Sequence, residues 1–138
     1  TTEGGLDVVS AKERIGDVIK QLQDVDIMVS IFLDPDPKQI ELAASLGAQA
    51  VELHTGAYAN SSGKTRDEHL QQLAKVARRI RDADMQLHAG HGLTYRNVKP
   101  IADIEGMQEL NIGHSIVARA IFLGFDQAVR EMTRLVSS

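Results

Sequence analysis

A chain of 138 residues with 43% apolar and 25% charged residues is long enough for one domain with a real core and has the composition of an ordinary globular protein. Its 15 basic and 19 acidic residues leave a formal charge of −4, which argues against a general nucleic-acid surface, and the absence of cysteine excludes a disulfide framework, a thiolate metal site and a cysteine nucleophile. No apolar run approaches the ~18–20 residues of a membrane span and no signal-peptide pattern opens the chain, so no membrane partner is expected.

Strand-like and helix-like segments alternate along the sequence. A first helix is predicted from Ser10, where Ser10 and Glu13 have capping-box spacing and Ile15, Val18, Ile19 and Leu22 follow at helical period. Ile27 to Leu33 is almost unbroken apolar sequence, which suits a strand buried on both faces and ending at Asp34. Asp36 as N-cap, Pro37 at the first helical position and Gly47 at the C-terminal end bracket the next helix. Ala50 to Leu53 reads as a second strand running into His54-Thr55-Gly56, and Ala57 to Lys64 as a polar, mobile loop. Thr65 and Glu68 suggest another capping box, ahead of a long helix with Leu70, Leu73, Ala74, Ala77 and Ile80 as its buried stripe. A third strand near Met85 to Ala89 leads into Gly90-His91-Gly92. A short helix within Asn97 to Ile104, a fourth strand at Gln108 to Ile112, and helices at Ser115 to Ile121 and Phe125 to Val136 complete the order.

Regular alternation argues for a parallel sheet with crossover helices, as a small doubly wound sheet or as half of a (β/α)8 barrel. In both, ligands bind beyond the carboxyl ends of the strands. Histidines and glycines collect there, in Leu-His-Ala-Gly-His-Gly-Leu (87–93) and in Asn-Ile-Gly-His-Ser-Ile (111–116). Gly113-His114-Ser115 joins a strand to a helix, where free amides and the helix dipole suit a phosphate; tight turns are the alternative reading of the glycines. His91 lies between two glycines and suits proton transfer, against the plainer role of hydrogen-bonding to its loop. A metal is the weaker reading. His88 and His91 are three apart, on opposite faces of a strand, whereas the helical two-histidine zinc signature needs them four apart. Glu52 and His54 share a strand face and either line a pocket or bond to each other. Asp34, Asp36 and Lys38 read as helix-start residues, and Lys12, Arg14, Arg78, Arg79 and Arg81 as solvated helix faces.

Four stretches in register, Thr1-Thr2-Glu3-Gly4-Gly5-Leu6-Asp7-Val8, Val51-Glu52-Leu53-His54-Thr55-Gly56, Ala89-Gly90-His91-Gly92-Leu93-Thr94-Tyr95 and Glu109-Leu110-Asn111-Ile112-Gly113-His114, carry a resemblance to the pyridoxine 5′-phosphate synthase family over essentially the whole chain. The resemblance implies a (β/α)8 TIM barrel, of which residues 1–138, a single domain segment, are the C-terminal four βα units. A full barrel needs ~250 residues. It also implies condensation of 3-amino-2-oxopropyl phosphate with 1-deoxy-D-xylulose 5-phosphate to pyridoxine 5′-phosphate, phosphate and water, without metal or organic cofactor, in a cytoplasmic homo-octamer. By motif, His91 is the proton donor, Gly92, Gly113 and His114 hold the aminoketone phosphate, and Thr1 contacts the deoxyxylulose phosphate. The family's other acid–base residues, a histidine and a glutamate, belong to its N-terminal half. His88 stands where members of the family usually carry asparagine. Two alternatives stand beside this reading. One is another phosphate-binding barrel lyase or isomerase, although none of the four strand ends carries the lysine that an aldolase would need. The other is a non-catalytic half-barrel. Thr1 is not an initiator methionine, so the sequence is expected to be processed, renumbered or cut from something longer.

Overall fold

A computed structural model describes residues 4–137. Along the chain run α1 (Lys12–Gln23), β1 (Ser30–Leu33), α2 (Pro37–Ser45), β2 (Ala50–His54), α3 (Gly56–Ala59), α4 (Gly63–Asp82), β3 (Gln86–Gly90), α5 (Val98–Ala102), β4 (Met107–Asn111), α6 (His114–Leu123) and α7 (Phe125–Val136). The strands form one parallel sheet in the order β1-β2-β3-β4. A doubly wound sheet reverses direction at a switch point, and these four strands contain no reversal. With right-handed crossovers, stepping one way lays every connecting helix on the same face.

The side-chain alternation agrees. Ile31, Leu33, Val51, Leu53, Leu87 and Ala89 are buried in the core with Ile40 and Ala43 of α2, Leu73, Val76, Ala77 and Ile80 of α4, and Ile101 of α5. The alternate positions, among them Phe32, Glu52, His54, His88, Gly90 and Asn111, take the opposite face, which no helix connecting the strands covers. Between β3 and β4 the register slips. Leu87 pairs with Met107 but His88 pairs with Glu109, so Gln108 is an extra residue. Met107 and Leu110 thereby both pack on the helix side, and Glu109 and Asn111 both take the polar face.

The second helix follows its sequence signals closely. Asp36 Oδ1 accepts from the Lys38 amide at 2.8 Å, Pro37 opens the helix, and Gly47 leaves it at φ +84°. Elsewhere tertiary contacts override local signals. Helix α1 starts at Lys12 with no side-chain cap, because Ser10 is engaged by Asp7 instead. The Ser10 hydroxyl donates to Asp7 Oδ2 at 2.5 Å, and Gln39 Nε2 donates to Oδ1 at 3.0 Å. These two bonds, with the Ser10 amide, lower the Asp7 pKa from its ordinary 3.8 to about 2. A carboxyl depressed in the folded state stabilises at pH above its unfolded value and loses that contribution as pH falls through its folded one. Urea midpoints measured between pH 4 and 2 are therefore expected to fall less steeply for Asp7→Asn than for the unaltered chain; equal slopes would count against the Asp7 network.

The first strand is shorter than its apolar run. A turn at Asp26 (φ +58°) leaves Ile27 and Met28 each 49% exposed ahead of the ladder. It is also buried on one face only, since Phe32 looks onto the polar side. The expected loop at 57–64 shrinks to residues 60–62 between the short helix α3 and the start of α4, and Ser62 takes the cap position without a side-chain bond. Its anchor is Tyr58, 2% exposed, whose hydroxyl donates to the Asn97 carbonyl at 2.8 Å. Thr65 and Glu68 consequently lie inside the helix rather than capping it. Among the described residues no helix is long and apolar enough to cross a membrane.

Candidate functional site

The carboxyl ends of the four strands bring together Asp34, His54, the Gly90-His91-Gly92 turn and the Gly113-His114 junction. His91, Gly92, Gly113 and His114 line one recess of about 1490 Å³, together with Phe32, Glu52, Asn111 and Ser115. Four of the five residues singled out by sequence therefore share a cavity. The fifth, Thr1, lies outside the described residues.

His91 is held in a costly conformation. Its φ is +82°, a region that side-chain-bearing residues seldom occupy, and Gly92 follows at +75°. The turn after β2 supplies the restraint. Thr55 is fully buried, and its hydroxyl lies 2.7 Å from the Gly90 carbonyl and 2.6 Å from the His91 carbonyl, while its amide donates to Gly90 at 2.9 Å. A Cβ on Gly92 would come within 2.7 Å of the Ala59 Cβ, so α3 backs the same turn. The His91 side chain is left exposed at the recess, its ring 4.7 Å from that of His54 in an edge-on contact.

Asp34 is not merely a helix-start residue. Its Oδ1 lies 2.7 Å from His54 Nδ1, which fixes the imidazole whose other face meets Phe32 and His91. That pair joins the ends of β1 and β2, and His54 Nε2 is buried with no hydrogen-bond partner among the described residues. Sequence spacing placed Glu52 and His54 on one face, as observed, but they do not bond to each other. Glu52 accepts instead from Asn111 Nδ2 at 3.0 Å.

Glu52 is the buried-side carboxyl of the recess. Burial raises its pKa, opposed by the His88 imidazole, by the Asn111 amide and by His91, and aided by Glu109. A perturbed carboxyl in a cleft beside an exposed imidazole is the arrangement that proton-transfer chemistry uses. Its position depends on Gly90: a Cβ there would collide with Glu52 Oε1 and come within 3.0 Å of the Asn111 carbonyl. Gly90→Ala is expected to destabilise the fold by about 1–3 kcal/mol, the usual cost of overpacking. A urea midpoint unchanged from the parent chain would mean that Glu52 moves aside freely.

The phosphate-suited end is built by α6. Its first-turn amides have no intrahelical acceptor, and Gly113 ahead of them carries no side chain that could obstruct an anion. The Ser115 hydroxyl donates to the Leu93 carbonyl at 2.8 Å and ties this helix start to the His91 turn. Among the described residues no three histidine or acidic side chains converge as a metal cage.

The family described as "Pyridoxal phosphate biosynthesis protein PdxJ" matches residues 1–138. The chain belongs to the PdxJ family. Similar curated proteins carry the name pyridoxine 5′-phosphate synthase. One from Rhodopirellula baltica is 56% identical over all of this chain and 56% of its own length. One from a Synechococcus strain is 55% identical over 96% of this chain and 56% of its own, and one from Magnetococcus marinus 50% identical over 99% and 56%. The chain thus spans a little over half the length of these PdxJ-family relatives.

Proposed function

We propose that this chain is the C-terminal half of a (β/α)8 pyridoxine 5′-phosphate synthase and supplies one part of its active site. The observation that carries the reading is the meeting of His91, on its restrained turn, with the open N-terminus of α6 at adjacent strand ends. In this reading Gly92, Gly113 and His114 hold the phosphate of 3-amino-2-oxopropyl phosphate through backbone amides and the positive end of the helix dipole. His91 hands protons to the oxygens that leave as 1-deoxy-D-xylulose 5-phosphate condenses and the ring closes. Expulsion of water needs an acid at the departing oxygen, and the exposed imidazole is placed to serve. Thr1 would contact the second substrate's phosphate. No metal or organic cofactor is needed for these steps, and a cytoplasmic homo-octamer belongs to the same proposal.

The half-barrel part rests on topology and on uncovered apolar surface. Among the described residues the sheet steps one way and ends at β1 and β4, each with a single neighbour. On α6, which follows β4, Ile121 is 78% and Phe122 86% exposed, and ahead of β1 Val9 and, on α1, Val18 stand open as well. Exposed apolar groups on the first and the sixth helix of an unclosed sheet suit further βα units packed against them.

Complementation tests the proposal. The chain alone should form no pyridoxine 5′-phosphate from the two substrates, and adding the N-terminal half of the Rhodopirellula baltica relative should restore it. Efficient turnover by the chain alone, or none after a soluble complex has formed, would refute the reading.

A further inference from the structure

Across the polar face of the sheet three side chains stand abreast. Glu52 on β2 pairs in register with His88 on β3, which pairs with Glu109 on β4. His88 is only 4% exposed, and its Nδ1 lies 3.5 Å from Ser30 Oγ of β1 and 3.9 Å from Glu109 Oε1. Ala50, in register with Ser30, puts no more than a methyl group between them. An apolar side chain would fill this space without desolvating a polar ring. An imidazole buried between two carboxylates carries that cost and must be partnered.

We propose that His88 is a positioning residue for Glu52: standing between Glu52 and Glu109 in the strand register, its buried imidazole is the counter-group that holds the Glu52 carboxylate toward the recess. Of the groups facing Glu52, His88 opposes the effect of burial most strongly, with the Asn111 amide and His91 acting in the same sense. Glu109 acts in the opposite sense, and Ser30, reaching the row from β1, is uncharged. Two neighbours in one row thus push Glu52 in opposite directions. The role in catalysis rests on the function proposed above, where an ionised Glu52 gives the recess a base and a partner for the substrate's amine.

Carboxyl-carbon NMR titration of Glu52 in the 138-residue chain reads this without turnover. In His88→Asn the Glu52 inflection should move to higher pH, and in Glu109→Gln to lower pH. If His88→Asn does not fold, His88→Gln is read in its place, with the same upward shift expected. An unmoved Glu52 in the folded His88 variant would overturn the proposal. In the complemented enzyme, His88→Asn should move the acid limb of kcat to higher pH while KM changes less. Absence of condensation with both NMR shifts in place would refute the proposed function alone, and intact condensation with an unmoved Glu52 would refute the role of His88 alone.

Discussion

Replacing His91 with alanine in the complemented enzyme is expected to lower kcat by about 10²–10⁴-fold, the usual contribution of a positioned acid or base, with KM changed far less. The imidazole stands exposed on its turn, with ring contacts to His54 at 4.7 Å and to Phe32 at 6.4 Å. The phosphate-suited amides of α6 are backbone groups and survive the change. Loss should therefore fall on turnover. An unaltered kcat would remove His91 from the reaction, and a rise in KM with kcat intact would make it a binding group. Thermal unfolding of the variant close to that of the parent chain is the companion measurement. It separates lost chemistry from a lost turn.

The second large effect is expected at Thr55. Valine matches threonine in shape but has no hydroxyl, so Thr55→Val leaves the Gly90 and His91 carbonyls without the side-chain donor that now lies 2.7 and 2.6 Å away. The Gly90 carbonyl keeps the Thr55 amide, so the loss falls mainly on the part-buried His91 carbonyl and costs about 0.5–1.5 kcal/mol, the net value of a hydrogen bond. Part of that stabilisation now holds His91 at φ +82°. Stability, read from the urea midpoint, should drop by that amount, and kcat should drop with it because the turn is no longer held. Thr55→Ser keeps the oxygen and should recover most of both. If Thr55→Val lowers stability but leaves kcat untouched, the hydroxyl serves the fold only. If serine fails to rescue, the methyl group rather than the hydroxyl is what the site requires.

Much of this arrangement was legible in the sequence because it is encoded locally. The Asp36-Pro37 start of α2 and its Gly47 end are short-range signals that tertiary packing left alone. The histidine–glycine junctions at 90–92 and 113–114 follow strands, and strand ends are where such folds bind ligands. What escaped depends on partners distant in sequence. Asp34, followed by Pro35-Asp36-Pro37, reads as helix-start chemistry, and only the adjacency of β1 and β2 reveals its bond to His54. Ser10 has capping spacing but is taken by Asp7 and Gln39. The 57–64 segment is polar enough to read as a loop, and one buried hydroxyl, that of Tyr58 on Asn97, pins its first turn as helix. Strict alternation also misplaces β4, since Met107 and Leu110 face the same way.

The extra residue at Gln108 has an evolutionary side. Were the ladder regular beyond Leu87–Met107, Gln108 would stand beside His88 and Glu109 would turn toward the helices, carrying Asn111 away from Glu52. The wiring of this row is thus written in a count of residues as much as in their identities. Losing the Gln108 codon would leave Leu87–Met107 and His88–Glu109 as consecutive regular pairs and keep the row, whereas one residue inserted between Glu109 and Asn111 would turn Asn111 off the polar face, so insertions there should be rarer among functional descendants than loss or substitution of Gln108.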